Sequence, residues 1–243
     1  CDQFDCTLQD ASLEYSLLAI QGPRALEILA PLTSDSAGLT GLGYYSTAQF
    51  SVAGADAIVA RTGYTGEDGF EVFVANADAV SVWRALLDAG TPLGLVPAGL
   101  ASRDSLRLEA GMPLYGHELD RTTTPYEARL GWTVKLDKGD FTGREALLKQ
   151  REQGVSRQLV TIAMQDDLVP AGGCAILREG HVVGRVTSSA FGHTMHCPLS
   201  LAVISLDSAR PGTEISVESE GGLHPARVVP RPYYDPKGLR LRS

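Results

Sequence analysis

The sequence predicts an α+β fold that ends in a small antiparallel β structure. Three observations carry that expectation. The first third has glycine-punctuated alternating stretches, residues 78 to 152 show helical periodicity with capping signals, and short β-rich segments run from Arg157 to the end. With 243 residues, 44% hydrophobic and 21% charged, and a mean hydropathy of −0.02, the chain has enough apolar surface for a full core and too little charge for a disordered polymer.

Taken in order, residues 14–20 (EYSLLAI) read as a buried strand running into Gln21-Gly22-Pro23, and RALEILAPL follows with apolar positions at helical spacing. The stretches QFSVAG and DAIVARTG alternate as antiparallel strands do, and Gly69-Phe70-Glu71-Val72-Phe73-Val74 continues the pattern. In DAVSVWRALLDAG, helical spacing places Val80, Trp83, Leu86 and Leu87 on one face, with Asp78 as candidate N-cap and Gly90 as the stop. A second helix begins after Pro97 and ends at Gly111, which suits a left-handed C-cap; Arg103 and Arg107 lie four apart on it. A third runs from Gly143 to about Glu152 with an Ala146/Leu147 apolar patch. The segments QLVTIAM, CAILREG, HVVGRVTSS, LAVISL, EISVES and ARVVP then read as a small antiparallel barrel or sandwich. This change of texture sets the expected domain cut, 1–152 and 153–243.

A net charge of −8 and a pI near 5.1 argue against the broad basic field that nucleic-acid backbones require, while a few local arginines still suffice for an anionic small molecule. The longest apolar runs, Leu17 to Ile20 and Leu201 to Ile204, are far shorter than the ~20 residues of a membrane span. Cys1, Cys6, Cys174 and Cys197 form no C-x-x-C pair, so free thiols in a reducing compartment are expected. The chain opens on Cys1 rather than methionine, from which a further upstream stretch is expected.

Two segments concentrate unusual chemistry. Arg61-Thr62-Gly63-Tyr64-Thr65-Gly66-Glu67-Asp68-Gly69-Phe70-Glu71 packs three glycines, three acids and two aromatics between strand-like runs. Read alone, it is a tight surface turn in which Gly63, Gly66 and Gly69 supply φ > 0 and the acids are solvated. Residues 101–120, ASRDSLRLEAGMPLYGHELD, read alone as a helix with charge pairs four apart on its wet face. Together they resemble the signatures of the T-protein of the glycine cleavage system. Other stretches fall in the same order as in that family: Ala19-Ile20-Gln21-Gly22-Pro23, Thr124-Pro125 before Leu130-Gly131-Trp132, 140–147 (DFTGREAL), and Gly184-Arg185-Val186-Thr187-Ser188.

The resemblance implies a folate-binding α+β core followed by a C-terminal antiparallel β-barrel, and an aminomethyltransferase that uses tetrahydrofolate as co-substrate, with no metal. Its partner would be the lipoylated H-protein, in a bacterial cytoplasm or, in a eukaryote, the mitochondrial matrix. By the same resemblance Glu71 holds the pterin, Tyr64 lines the folate pocket and Arg103 binds folate; Arg240 is a looser match for the folate tail, beside Tyr233 and Tyr234. Arg107 is read as structural. Alternatives on the same scaffold are a folate-dependent demethylase and a folate-binding accessory protein, whose Lys-Gly-Cys-Tyr-x-Gly-Gln-Glu signature is replaced here by Gly63-Tyr64-Thr65-Gly66-Glu67.

The sequence departs from the family in two places. After Thr187-Ser188 the usual Ser-Pro-Thr-Leu turn is replaced by Gly192-His193-Thr194-Met195-His196-Cys197, whose two imidazoles and thiol imitate a zinc site without a clear fourth ligand. The family's Gly-Gly-hydrophobic-hydrophobic-Asp-Asp stretch, with its catalytic aspartate, aligns before Cys1, and none of Asp2, Asp5 or Asp10 takes that role. The expected outcome is that this chain alone, given purified H-protein, shows little or no transferase turnover and weakened folate binding; turnover equal to that of a full-length T-protein refutes it.

Overall fold

In the computed structural model, residues 5–242 are described, so Cys1 and Asp2 lie outside the described residues. Packing divides the chain into two units, Cys1–Ala98 with Gly238–Ser243, and Gly99–Lys237.

The first unit is built on a four-stranded antiparallel sheet of order β1-β4-β3-β2, formed by β1 (Tyr15–Gln21), β2 (Thr47–Val52), β3 (Ala55–Ala60) and β4 (Gly69–Ala75). Side chains alternate faces along a strand. Ile20, Val59, Phe70, Val72 and Val74 accordingly go to the core with Ile28 and Leu29 of helix α1 (Ala25–Leu29) and with Val82 and Leu86 of α3 (Ala79–Gly90). Helix α1 stops at Leu29 because Pro31 lacks the N–H that another turn needs, and a 3-10 turn, Ala30–Leu32, takes over. A short helix, α2 (Ser36–Gly41), lies in a segment to which the sequence assigned no element; the Asp35 carboxylate caps it by accepting from the Gly38 N–H at 2.8 Å.

Helix α3 corrects two expectations. Its buried line is Val82, Leu86 and Gly90, with Val80 60% and Trp83 41% exposed. At Gly90 a Cβ would overlap the side chain of Leu95, which closes over this end of the helix. Asp78 occupies the N-cap position, but its backbone is already near-helical (φ −98°, ψ −10°) and its side chain makes no capping bond.

In the second unit, helix α4 (Leu100–Glu109) ends before Gly111 at φ +64°, the left-handed terminus expected there. Helix α5 (Arg144–Gln153) buries no residue, and Ala146 of the expected apolar patch is exposed. Six antiparallel strands then close into a barrel of order β10-β5-β8-β7-β6-β9. They are β5 (Arg157–Met164), β6 (Ala175–Arg178), β7 (His181–Gly192), β8 (Cys197–Ser205), β9 (Glu214–Ser219) and β10 (Gly222–Val229). Val160, Ile162, Ile176, Ile204, Val217 and Val228 belong to one apolar cluster, and Leu159 and Leu201 pack with Leu108 of α4 in another. Helix α4 packs on β7 and β8 and so belongs to the compact unit that runs from Gly99. Gly184 is fixed by strand approach, since a Cβ there would overlap the Val203 carbonyl.

Glu127 ties the loop before the barrel to its first strand. Its Oε1 accepts from Arg157 Nε at 2.8 Å, its Oε2 from the Thr124 N–H at 2.9 Å, and its carbonyl from the Leu159 N–H at 2.8 Å. Burial alone would raise this carboxyl, but the Arg157 and Thr124 bonds outweigh it and hold the group below its ordinary 4.5. A lowered native value means that the stabilisation is complete above the ordinary value and is lost as pH falls through the native one. Urea unfolding should therefore show a plateau near neutrality and a decline beginning at about 4.5. Glu127→Gln should lower the plateau and flatten the decline; an unchanged acid limb removes Glu127 as its source.

Candidate functional site

The glycine-rich turn of the first unit is organised around Gln21. In the β1/β4 register Gln21 lies directly opposite Gly69, and its carboxamide fills the space that side chains at Gly63 and Gly69 would take. Gln21 Nε2 donates to the Thr62 carbonyl at 3.0 Å and to the Phe70 carbonyl at 3.2 Å, and Oε1 accepts a longer bond from the Thr65 hydroxyl at 3.4 Å. Of the three glycines only Gly66 is left-handed, at φ +89°. Gly63 and Gly69 are there for close approach, which differs from the isolated-turn reading.

The acids of the turn are also engaged. Asp68 is buried and takes both arms of Arg61, from Nε at 2.9 Å and Nη2 at 2.7 Å, while Arg61 Nη1 donates to the Leu42 carbonyl at 3.0 Å. That bidentate bond raises the Arg61 guanidinium above its ordinary value. Glu67 pairs with Arg240 at 3.0 Å, so Arg240 reaches the turn that carries Tyr64.

Glu71 sits on the sheet face opposite the core, between Ala19 of β1 and Ala60 of β3 in register. Both neighbours in register are alanines. The Thr62 hydroxyl donates to Glu71 Oε2. Tyr64, Glu71 and Arg240 are thus all in the first unit, with Tyr64 and Glu71 half-buried and Arg240 exposed.

Arg103 belongs to the second unit, on the exposed side of α4. One turn later the same helix buries Arg107, whose side chain is 1% exposed beside a Glu118 side chain at 0%. Arg107 donates from Nη1 to Glu118 Oε2 at 2.8 Å and from Nε to Asp104 Oδ1 at 2.6 Å. Glu118 also accepts from the Leu114 N–H at 2.9 Å and, through Oε1, from the Ser188 hydroxyl of β7 at 2.6 Å. Every charge in this buried set therefore has a partner, as burial demands, and Arg107 is structural as read. Asp104 Oδ1 is engaged by Arg107, and Glu109 Oε1 accepts from the Thr194 and Met195 N–H groups at 2.6 and 3.0 Å.

This accounts for the 193–196 turn. Its backbone is held by Glu109, and His193 packs edge-on against Phe191 at 5.3 Å. Among the described residues no group of three or more His, Cys, Asp or Glu is placed to hold a metal ion, and Cys6, Cys174 and Cys197 are free. Tyr233 and Tyr234 are half-buried, and the Tyr234 N–H donates to the Glu109 carbonyl at 3.0 Å. Nearby, Arg231 donates to the carbonyls of Gly111 and Ala128 at 2.8 and 2.9 Å, and burial pushes its guanidinium down to about 10. Among the described residues no helix is long and apolar enough to cross a membrane.

Sequence reasoning missed Gln21, Thr62 and Glu118 as organising residues. A signal existed for the first: a polar residue ending an apolar run just before Gly22-Pro23, with paired glycines downstream; the run itself, expected to be buried, is the edge strand β1 with only Ile20 buried.

Comparison with known proteins defines the class. Residues 2–138 match the GCVT N-terminal domain and 157–235 the glycine cleavage T-protein C-terminal barrel domain. Curated aminomethyltransferases from Saccharopolyspora erythraea and Streptomyces avermitilis are 47% and 48% identical over 96% and 95% of this chain, and the chain spans 63% of the length of each. A crystal structure of glycine cleavage system aminomethyltransferase T from Bartonella henselae superposes with a TM-score of 0.78 at 33% identity, covering 90% of this chain and 59% of that one. The chain belongs to the glycine cleavage T-protein family.

If Gln21 is what requires glycine at 69, Gly69→Ala should cost ~1–3 kcal/mol in the wild-type chain, the usual range for overpacking, and much less in a Gln21→Ala background. Urea denaturation of the four variants measures this; equal costs in both backgrounds would show that something else excludes the side chain.

Proposed function

We propose that the protein acts as a tetrahydrofolate-dependent aminomethyltransferase of the glycine cleavage system, with this chain supplying folate contacts. In that reaction the aminomethyl carbon, carried as a thioaminal on the lipoyl arm of the H-protein, passes to tetrahydrofolate. The carbon–sulfur bond breaks, ammonia leaves, and the products are 5,10-methylenetetrahydrofolate and the reduced lipoyl arm. The family membership and the identity of the relatives as aminomethyltransferases support this reading.

The observation that carries the folate assignment is Glu71, a half-buried carboxylate with small neighbours in register and a hydroxyl donor at one oxygen. Such a group can accept two adjacent N–H donors of a pterin and so fix both its position and its orientation. Tyr64 offers a ring for stacking and a hydroxyl for hydrogen bonding. Arg103 contributes a planar fork suited to carboxylate or carbonyl oxygens, and Arg240, linked to Glu67, is the candidate for the glutamyl tail. No residue of this chain is assigned a catalytic role. The lipoylated H-protein is the proposed partner and the bacterial cytoplasm the proposed compartment, in keeping with the bacterial relatives. Residues 1–152 and 153–243 are proposed as its two modules; the two family matches stop at 138 and resume at 157, on either side of that boundary.

Removing one charge-assisted pairing costs ~1.5–3 kcal/mol, so Glu71→Gln should weaken tetrahydrofolate about 10- to 100-fold with little change in the urea midpoint. Fluorescence titration under anaerobic conditions measures this. An unchanged affinity removes Glu71 from the site.

A further inference from the structure

Glu71 does not stand alone on its strand. The Gln21 carboxamide holds the Thr62 carbonyl at 3.0 Å, and the hydroxyl of that same threonine donates to Glu71 Oε2. Thr62 follows the end of β3, where the chain leaves the sheet, and without an anchor its hydroxyl would have no fixed direction. Gln21 supplies the anchor from β1 and ties Phe70, the residue before Glu71, with the other bond of Nε2, at 3.2 Å. Main chain and side chain of the carboxylate are thus both set from one amide.

We propose that Gln21 and Thr62 are positioning residues that fix the Glu71 carboxylate before ligand arrives; the inference rests on the folate reading above. The Thr62 hydroxyl occupies one lone pair of Oε2. An ionised carboxylate has about four acceptor sites, and among the described residues Thr62 is the donor to Glu71, which leaves acceptor sites for ligand N–H groups. A strand glutamate otherwise rotates about three side-chain bonds, and freezing it on binding opposes association; a hydroxyl that freezes it beforehand strengthens binding without touching the ligand. In register Glu71 is flanked by two alanines, Ala19 and Ala60, and the Gln21 carboxamide lies beside it over Gly69.

The test uses the full chain and two probes: tetrahydrofolate under anaerobic conditions, and 4-aminobenzoylglutamate, which lacks the pterin. Thr62→Val should weaken tetrahydrofolate about ten-fold, Thr62→Ser should restore it to within about two-fold, and Gln21→Met should weaken it as valine at 62 does. Affinity for 4-aminobenzoylglutamate should not move in any of them. In a Glu71→Gln background, Thr62→Val should add almost nothing, a coupling that a general loss of stability does not produce. Thr62→Ala replaces the valine variant if that fails to fold. Should Glu71→Gln weaken tetrahydrofolate while Thr62→Val leaves it unchanged, the positioning role is overturned and the folate reading stands. Should neither weaken it, or the wild-type chain bind none, both are overturned.

Discussion

The first unit depends on one carboxamide lying where two side chains are missing. Gln21 closes the gap left by Gly63 and Gly69 and donates to carbonyls on either side of the turn. Backbone carbonyls at the mouth of a turn need partners as strictly as those in a sheet, and here a side chain from the neighbouring strand provides them. Thr62 and Glu71 take their directions from that anchor, while the Arg61–Asp68 pair holds the other flank. The density of small and polar residues between 61 and 71 therefore reflects one packing problem with a side chain as its centre.

The second unit solves the complementary problem, fixing a helix against a barrel. Apolar contact from Leu108 to Leu159 and Leu201 holds α4 to the strands without specifying its rotation. The Arg107–Glu118–Ser188 set adds direction, because a buried guanidinium fork and a fully enclosed carboxylate tolerate few arrangements. Losing one member strands the other charge, which costs ~3–5 kcal/mol. Arg103, one turn earlier on the exposed side of α4, inherits its placement from this lock.

Much of this was legible in the residues. Strand alternation in residues 14–75 and the β-rich tail after Arg157 depend on period-two burial, a local pattern, and they appear as the sheet and the barrel. The T-protein signatures likewise identified the family, because they specify tight local geometry. What escaped was decided at long range. Helix α2, SAGLTG, has too few apolar positions to show a period, yet Asp35 starts it. Val80 and Trp83 share a helical face with Leu86, but the line that is buried is Val82–Leu86–Gly90, with Leu95 closing over Gly90 from the loop beyond the helix. The roles of Gln21 and Glu118 depend on partners 41 and 70 residues away, and no window of sequence contains both ends of such a bond.

The grip of Glu109 on the 193–196 turn has a consequence for how this region can vary. The carboxylate seizes main-chain amides and ignores what those residues carry outward, so shape and spelling are uncoupled there. At 194 and 195 only an imino acid would remove a donor, whereas 196, at φ 55°, carries a backbone constraint of its own. A loop held this way can drift in composition over generations while the strands on either side keep their register.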